Sequence, residues 1–257
     1  MSVKSPLITV ITVCYNSEKF IADAIESVLA QDFENFEYLI IDGASKDRTF
    51  EIAESYRVKH PTKIKLVSER DKGIYDAMNK GIKLANGEVI GFLNSDDFYS
   101  SNVVLSKIAQ VFREEYPDFI YGDLLYVNQA NTEKIVRRWI SGNMPVRKMK
   151  FGWHPPHPTL YVKAKLLKQL DGFDTQYKIG ADYALMVKLI ESRNPTYKYI
   201  PEVLVRMRVG GESNKSLENI YKQNLECVHS WRAAGLKPSV FLVPIKLMRK
   251  VMQFFYA

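Results

Sequence analysis

Two adjacent carboxylates follow a short apolar segment, in the run Asn94-Ser95-Asp96-Asp97. Neighbouring negative charges repel each other and lose hydration beside a buried strand, so a cation shared with an anionic ligand would stabilise them. Asp96 and Asp97 therefore predict a divalent metal site that holds a diphosphate. The alternative is that one of the two aspartates only caps the helix predicted to begin near Ser101.

The strands that would position these residues are predicted from the apolar pattern. Segments 7–13, 38–41, 64–67 and 88–93 are rich in apolar or β-branched residues without helical spacing, which indicates buried strands. Between them, apolar residues recur at spacings of three and four, which indicates amphipathic helices. This alternation predicts an α/β fold with a mostly parallel central sheet flanked by helices.

Four polar residues stand just past the ends of these predicted strands: Tyr15, Asp42, Asp71 and Asp96. Ligands of parallel sheets bind beyond the carboxyl ends of the strands, so we expect these side chains to meet at one edge. No GxGxxG follows the first strand, and no GxxxxGK[ST] occurs anywhere in the sequence. A nicotinamide enzyme and a P-loop NTPase are therefore not expected.

The composition of the 257-residue chain fits a globular protein, with 46% hydrophobic residues for one large domain or two small ones. No stretch reaches the roughly 18 apolar residues of a spanning helix, and the start lacks a basic flank and a cleavage site, from which we expect residence in the cytoplasm. The two cysteines are expected to be free thiols. A net charge of +7 indicates an anionic partner: a nucleotide, a phospholipid surface or nucleic acid.

The second half of the chain contains a stiff loop, FGWHPPHPTLYV, at 151–162. Trp153 and His157 are candidates to line a sugar or acceptor pocket, because aromatic faces pack on sugar rings and imidazoles bond to hydroxyls. The alternative is that Trp153 fills the core and the histidines bond to backbone groups.

Asp182 stands at the head of a predicted amphipathic helix, where aspartate is a favoured residue that caps the helix. Arg206 or Arg208, on a predicted edge strand, would reach a diphosphate or remain in solvent.

The tail at 240–256 has the pattern of a basic amphipathic helix. Lys246, Arg249, Lys250 and Gln253 share one stripe, and apolar residues cover the rest. Such a helix suits the surface of a membrane. The alternative is a helix docked on its own domain or on a second subunit.

Three blocks of sequence together resemble glycosyltransferase family 2, which has the GT-A fold. They are ITVCYNSEKFIADAIESVLAQ (11–31), YLIIDGASKDRT (38–49) and ERDKGIYDAMNKGIKLANGEVIGFLNSDD (69–97). The second and third blocks resemble, more narrowly, bacterial enzymes that build O-antigen, capsule and colanic-acid repeat units. The resemblance implies a GT-A catalytic domain over 1–212, with a nucleotide-binding half (1–99) and an acceptor-binding half (100–212), followed by a C-terminal helical extension over 213–257.

The resemblance also implies roles for individual residues. Asp42 would contact the uridine, Asn94 replaces a carboxylate near the ribose, Asp96 keeps the place of the metal ligand, and Asp182 matches the catalytic base. The implied donor-binding set is Val13, Tyr15, Asp42, Asp71, Lys72, Gly73, Asn79, Asn94, Ser95 and Asp96.

The resemblance implies an inverting glycosyltransferase, and the adjacent Asp96 and Asp97 predict that it depends on Mn²⁺ or Mg²⁺. The favoured donor is a UDP-sugar. The acceptor would be a glycan or a polyprenyl-diphosphate-linked saccharide in bacterial surface polysaccharide synthesis. The enzyme would be cytoplasmic, with contact to the inner face of the cell membrane through 240–256.

Two alternatives differ in class from this prediction. A sugar-1-phosphate nucleotidyltransferase would resemble a glycine-rich LAGGxGTRL-like opening, which this chain lacks. A non-enzymatic nucleic-acid-binding protein is suggested by the net charge and by a basic set comprising Lys134, Arg137, Arg138, Arg147, Lys148 and Lys150. Acidic residues at the strand ends oppose that alternative, so no nucleic-acid partner is expected.

Overall fold

The computed structural model describes residues 6–143, 146–191, 195–210 and 217–253. In its first half, strands and helices alternate as the apolar pattern predicts. These elements are β1 (Ile8–Cys14), α1 (Ile21–Leu29), β2 (Phe36–Asp42), α2 (Thr49–Lys59), β3 (Ile64–Ser68), α3 (Ile74–Leu84), β4 (Val89–Phe92) and β5 (Phe98–Tyr99). The four predicted strands are confirmed, each within about two residues of its predicted bounds.

The second half, where the structure describes it, contains four strands and five α-helices. Its elements are α4 (Val104–Glu114), β6 (Phe119–Val127), β7 (Ile135–Trp139), β8 (Tyr161–Lys163), α5 (Ala164–Gln169), α6 (Ala181–Glu191), β9 (Tyr197–Arg208), α7 (Leu217–Ala233) and α8 (Leu242–Met252). Two stretches of 3-10 helix, Val146–Phe151 and His157–Thr159, lie in the loop between β7 and β8.

All the strands of the described chain join one sheet in the order β3-β2-β1-β4-β8-β6-β9-β5, and β7 pairs with β6 beside this path. Strands β1 to β4 are parallel, as predicted. Strands β5, β7 and β8 instead run antiparallel to their partners. The predicted parallel sheet is therefore right for the first half, and the whole sheet is mixed.

The register of the parallel strands brings their carboxyl ends to one edge. Cys14 pairs with Asp42, and Asp42 pairs with Ser68. In β4, Phe92 pairs with Ile11. The segment 94–97 therefore leaves the sheet at the edge where β1 and β2 also end.

Apolar side chains cover both faces of the sheet, which is why β1 is buried along its whole length. Ile11 and Val13 belong to one core, with residues of α3 and α6. Ile8 and Val10, which alternate with them, belong to a second core with residues of α1 and α4.

The two C-terminal helices pack on the same domain. Trp231 of α7 and Leu242 of α8 are buried in the core that contains α6, and the Trp231 indole N–H donates a hydrogen bond of 3.0 Å to the Tyr183 hydroxyl. Residues 213–216 and 254–257 of the predicted extension lie outside the described residues. Among the described helices, none combines the length and the hydropathy needed to cross a membrane.

Candidate active site

The acidic segment after β4 places its two aspartates in different surroundings. Asp97 is fully buried, and its carboxylate accepts hydrogen bonds from Asn94 Nδ2 at 2.8 Å and from the backbone N–H of Arg208 at 3.1 Å. Burial and the charge of Asp96 raise the pKa of Asp97 well above its ordinary value. The predicted metal ligation by Asp97 does not fit this geometry, because the carboxylate already serves as an internal hydrogen-bond acceptor.

Asp96 is partly exposed, and its carboxylate accepts no hydrogen bond from another residue of the described chain. Burial raises its pKa, and the nearby Arg208 opposes that rise. A carboxylate without a donor fits a hard cation such as Mn²⁺ or Mg²⁺. The described residues contain no group of three or more His, Cys, Asp or Glu side chains that could hold a metal ion by themselves, so Asp96 alone among them could contribute one ligand here.

Arg208 joins the acidic segment to strand β9. Its buried guanidinium donates through Nη1 to the Asp96 carbonyl oxygen at 2.7 Å and forms an ion pair with Asp23 of α1. The guanidinium carbon lies 4.8 Å from the ring centroid of Phe20 and 4.9 Å from that of Phe98. The predicted place of Arg208 in a ligand pocket does not fit this orientation, since the side chain holds protein groups instead.

Ser95 and Asn94, both predicted to bind the donor, are partly exposed members of the same network. The Ser95 hydroxyl lies 2.9 Å from the Ser17 hydroxyl, which links the acidic segment to the loop after β1. Asn94 uses its amide nitrogen for Asp97. Both residues therefore fix the shape of the segment that carries Asp96.

Asp42 is fully buried at the end of β2. Its carboxylate accepts hydrogen bonds from the Ser68 hydroxyl at 2.6 Å, from the Ser45 backbone N–H at 3.2 Å and from the Ser45 hydroxyl. Val13, at the end of β1, is buried in the core as well. Neither side chain is at the surface, so the predicted direct contact of each with a nucleotide does not fit, and Asp42 instead orders the loop that follows it.

An exposed aromatic ring stands beside this loop. Tyr15 is 56% exposed, and a Cβ on Gly43 would lie 3.4 Å from Tyr15 Cδ2 and 2.6 Å from Asp71 Oδ2. Gly43 thus lets the Tyr15 ring and the Asp71 carboxylate approach the same stretch of backbone. Asp71 also accepts a hydrogen bond from the backbone N–H of Gly73 at 3.0 Å, and Lys72 between them is exposed. A free ring next to polar groups suits a nucleobase.

Asn79 lies on α3 but faces the segment before α6. Its amide donates to the Phe173 carbonyl oxygen at 2.7 Å and accepts from the Phe173 backbone N–H at 2.8 Å. A side chain at Gly172 would collide with Asn79 Oδ1, at 2.3 Å. The predicted donor contact by Asn79 does not fit this pairing, which ties α3 to the chain that leads to Asp182.

Asp182 is the second residue of α6 and is partly exposed. Its carboxylate accepts a hydrogen bond of 2.7 Å from the backbone N–H of Tyr183. Burial raises the pKa of Tyr126, the nearby Arg137 opposes that rise, and the charges of both Asp97 and Asp182 add to it. The acidic segment after β4 and the start of α6 therefore lie within electrostatic range of the same phenol.

His157 retains its full capacity for hydrogen bonding. Neither ring nitrogen has a partner among the described residues, and the ring stacks on Phe92 and meets Phe173 edge-on, both at 5.6 Å between centroids. Burial lowers its pKa and Asp182 opposes that shift. A neutral imidazole near Asp182 agrees with the predicted pocket role, which stays a prediction.

Trp153 follows the second of its two predicted alternatives, burial in the core, and its role in a sugar or acceptor pocket stays a prediction. The side chain is buried, and its indole N–H donates to the Ser141 carbonyl oxygen at 3.1 Å. One part of it also lines a cavity between the sheet and the C-terminal helices.

Two serines that bind Asp42 are absent from the predicted site. Ser45 follows Asp42 by three residues, a spacing typical of a turn in which an aspartate accepts from the next backbone groups. Ser68 carries no such signal, because its contact arises only when β3 pairs with β2.

The chain matches the family model described as glycosyl transferase family 2 over residues 9–182. It belongs to glycosyltransferase family 2. It is 38% identical over 250 residues to the protein named as the uncharacterized glycosyltransferase EpsJ of Bacillus subtilis, covering 90% of this chain and 72% of EpsJ. Membership confirms the predicted enzyme class, so the nucleotidyltransferase and the non-enzymatic alternatives are not retained.

Two solved structures share the fold. S. aureus TarS 1-349 in complex with UDP-GlcNAc has a TM-score of 0.69 at 23% identity, over 95% of this chain and 72% of that one. The mannosyltransferase PcManGT from Pyrobaculum calidifontis in complex with GDP-Man and Mn²⁺ has a TM-score of 0.63 at 18% identity, over 97% and 75%. At these identities the likeness concerns the fold, and it confirms the predicted GT-A architecture.

Proposed function

We propose that this family 2 glycosyltransferase transfers a sugar from a UDP-sugar to a hydroxyl group of a glycan acceptor, with inversion at the anomeric carbon and with Mn²⁺ or Mg²⁺ at Asp96. The observation that carries the proposal is the Asp96 carboxylate itself. It is partly exposed after β4, and it accepts no hydrogen bond from another described residue. It is therefore available to an incoming cation.

The donor would bind at the edge where β1 and β2 end. The exposed Tyr15 ring offers a stacking surface for the base, and the turn formed by Asp71, Lys72 and Gly73 lies beside it. Asp42 acts indirectly, by ordering the loop that carries Gly43. The uridine nucleotide is favoured because TarS, with the higher TM-score of the two structural neighbours above, was crystallised with UDP-GlcNAc.

A divalent cation, when bound with the donor, would supply positive charge that stabilises the leaving diphosphate. Its presence in PcManGT supports the same requirement here. Arg208 would contribute by holding the backbone of Asp96 in place.

Asp182 would act as the general base. The acceptor oxygen forms a bond to the anomeric carbon while the bond from that carbon to the UDP oxygen breaks, and the acceptor proton passes to Asp182. A single displacement of this kind inverts the configuration and needs no covalent enzyme intermediate. The His157 imidazole, whose two buried ring nitrogens have no partner among the described residues, would hold a sugar hydroxyl.

For the acceptor, we propose a saccharide used in bacterial surface polysaccharide synthesis, including one linked to polyprenyl diphosphate. Contact with the inner face of the membrane is supported by α8, where Met248 and Val251 are 57% and 58% exposed.

Donor binding tests the first part of this proposal. We would measure the thermal unfolding of the full chain with UDP-, GDP- and dTDP-sugars, each with and without Mn²⁺, because a ligand that binds the folded state raises its stability. Protection by a UDP-sugar only in the presence of Mn²⁺ is expected. Protection that does not need the metal would contradict the role of Asp96.

Asp182→Asn tests the second part. Transfer should be lost while UDP-sugar binding is kept, since Asn cannot take the proton. Asp174→Asn is the matched control, because Asp174 is a partly exposed aspartate shortly before α6. Transfer at the normal rate by Asp182→Asn would remove Asp182 from the mechanism.

A further inference from the structure

A cavity of about 130 Å³ lies between the sheet and the two C-terminal helices. Residues of β6, β7 and β9 form one wall, and residues of α7 and α8 form the other. One water molecule needs about 10–15 Å³ of cavity volume. The cavity therefore has room for a phosphoryl group or part of a sugar.

The cavity is strongly basic. Arg137 on β7 and Lys246, Arg249 and Lys250 on α8 all line it, and its described lining includes no aspartate or glutamate. Burial lowers the pKa of Lys250, and the charges of Arg137 and Lys246 lower it further, so these cations repel one another. An anion in the cavity would relieve that repulsion.

Two amide oxygens add a second kind of recognition. Asn224 Oδ1 and Gln253 Oε1 line the cavity and are buried, and neither has a hydrogen-bond partner within the described chain. Buried acceptors without a donor are costly, and sugar hydroxyls are donors that would satisfy them.

The cavity also lies beside the start of α6, the helix that carries the proposed general base. Lys246 lies over the Tyr183 ring at 5.2 Å, and the His154 ring meets Tyr183 edge-on at 5.3 Å. Both Lys246 and His154 line the cavity, and Tyr183 directly follows Asp182. A ligand in the cavity would therefore be close to the start of α6.

We propose that this cavity binds the phosphoryl group of a phosphorylated saccharide acceptor. Arg249 and Lys250 hold the phosphate or diphosphate, Arg137 and Lys246 add positive charge to the cavity, and the two amide oxygens accept from the sugar hydroxyls. The assignment of the ligand as the acceptor rests on the proposed function, whereas binding of a phosphoryl group can be tested without it.

The test uses inorganic pyrophosphate as the probe. It is titrated by calorimetry into the full chain in the absence of divalent cations, so that a metal-dependent donor site does not bind it. Wild type is compared with Arg249→Gln, with Lys250→Gln as a second variant and with Lys222→Gln as the control. Lys222 lies on α7, pairs with Glu218 and is 54% exposed, and its variant removes the same charge outside the cavity.

We expect wild type and Lys222→Gln to bind pyrophosphate equally, and each cavity variant to bind it about tenfold more weakly, since each loses one charge-assisted hydrogen bond. Equal binding by all four proteins would overturn the proposal, as would no binding by wild type. Binding of wild type to phosphatidylglycerol vesicles without any binding of pyrophosphate would assign the cations to a lipid surface and also overturn it.

A separate titration with UDP and Mn²⁺ distinguishes the two proposals. Arg249→Gln should bind UDP as wild type does, because Arg249 lines the cavity on α8, whereas the proposed donor site lies at the ends of β1 and β2. Loss of pyrophosphate binding with UDP binding intact locates the defect in the cavity. Failure of wild type to bind UDP would instead refute the donor assignment and leave the pyrophosphate result standing.

Discussion

The backbone N–H of Arg208 donates a 3.1 Å hydrogen bond to the carboxylate of Asp97, which lies 111 residues earlier in the chain. The Arg208 side chain also holds the carbonyl oxygen of Asp96, at 2.7 Å. The end of β9 thus fixes both residues of the acidic pair. One carboxylate accepts hydrogen bonds within the fold, and the other accepts none from another described residue.

This division predicts different outcomes for two neighbouring substitutions. Asp97→Ala removes the acceptor for Arg208 and Asn94, and the free energy of unfolding should fall by about 1–3 kcal/mol. Asp96→Ala should leave that free energy unchanged or raise it, because a partly buried charge without a donor is removed. Denaturant unfolding of both variants provides the measurement.

Binding of UDP should follow the opposite order. Asp96→Ala should lose the Mn²⁺-dependent part of UDP binding, whereas Asp97→Ala should retain it at temperatures where it is folded. Equal loss of metal-dependent UDP binding by Asp96→Ala and Asp97→Ala would contradict the separation of the two roles.

The sequence predicts the elements of this site better than the directions of its side chains. The order of strands and helices in the first half follows from local apolar spacing, which is why β1 to β4 are predicted within about two residues. The choice between Asp96 and Asp97 is different, because it depends on Arg208, which is distant in sequence. Strands β5 and β8 have two and three residues, which is too short for an alternation of apolar and polar residues to be recognised in the sequence.

Asn79 shows the same limit and leads to a second prediction. Its spacing on α3 does not reveal that it pairs with the backbone of Phe173, 94 residues later. Asn79→Ala leaves both backbone groups without a partner, so it should lower the free energy of unfolding by about 1–3 kcal/mol. UDP binding by the folded variant should be unchanged.

The matched variant Asn79→Asp keeps an acceptor for the Phe173 N–H but loses the donor to the Phe173 carbonyl oxygen. Its stability should lie between those of Asn79→Ala and wild type. A selective loss of UDP binding by either variant, with stability unchanged, would restore the donor-binding role that the sequence suggested.

A third prediction concerns acid. Burial and the charge of Lys246 lower the pKa of His154 from 6.5 to about 3. As the pH falls below about 6.5, the imidazole is protonated in the unfolded chain but stays neutral in the folded chain. The free energy of unfolding therefore falls by up to about 1.4 kcal/mol per pH unit until the pH reaches the folded-state pKa. The contribution of His154 is complete above pH 6.5 and declines toward pH 3.

His154→Phe isolates this contribution. Phenylalanine keeps the edge-on ring contacts with Trp139 and Tyr183, at 5.0 and 5.3 Å, but does not titrate. Between about pH 6.5 and pH 4, the stability of wild type should fall more steeply than that of His154→Phe, measured by urea unfolding in buffers without phosphate. The exposed His60, changed to Gln, should follow wild type. Parallel curves for all three proteins would contradict the assignment.

The fourth prediction concerns the base of the donor. Tyr15 is 56% exposed and stands next to the Gly43 backbone and the Asp71 carboxylate, so its ring has a free face. A stacked base gains about 1–3 kcal/mol from an aromatic ring, so Tyr15→Ala should weaken UDP binding about tenfold or more.

Tyr15→Phe keeps the ring and should bind UDP nearly as wild type does, which separates stacking from a hydrogen bond of the hydroxyl. Tyr221→Ala removes another ring that is 64% exposed, on α7, and should leave UDP binding unchanged. Equal weakening by Tyr15→Phe and Tyr15→Ala would show that the hydroxyl, and not the ring, makes the contact.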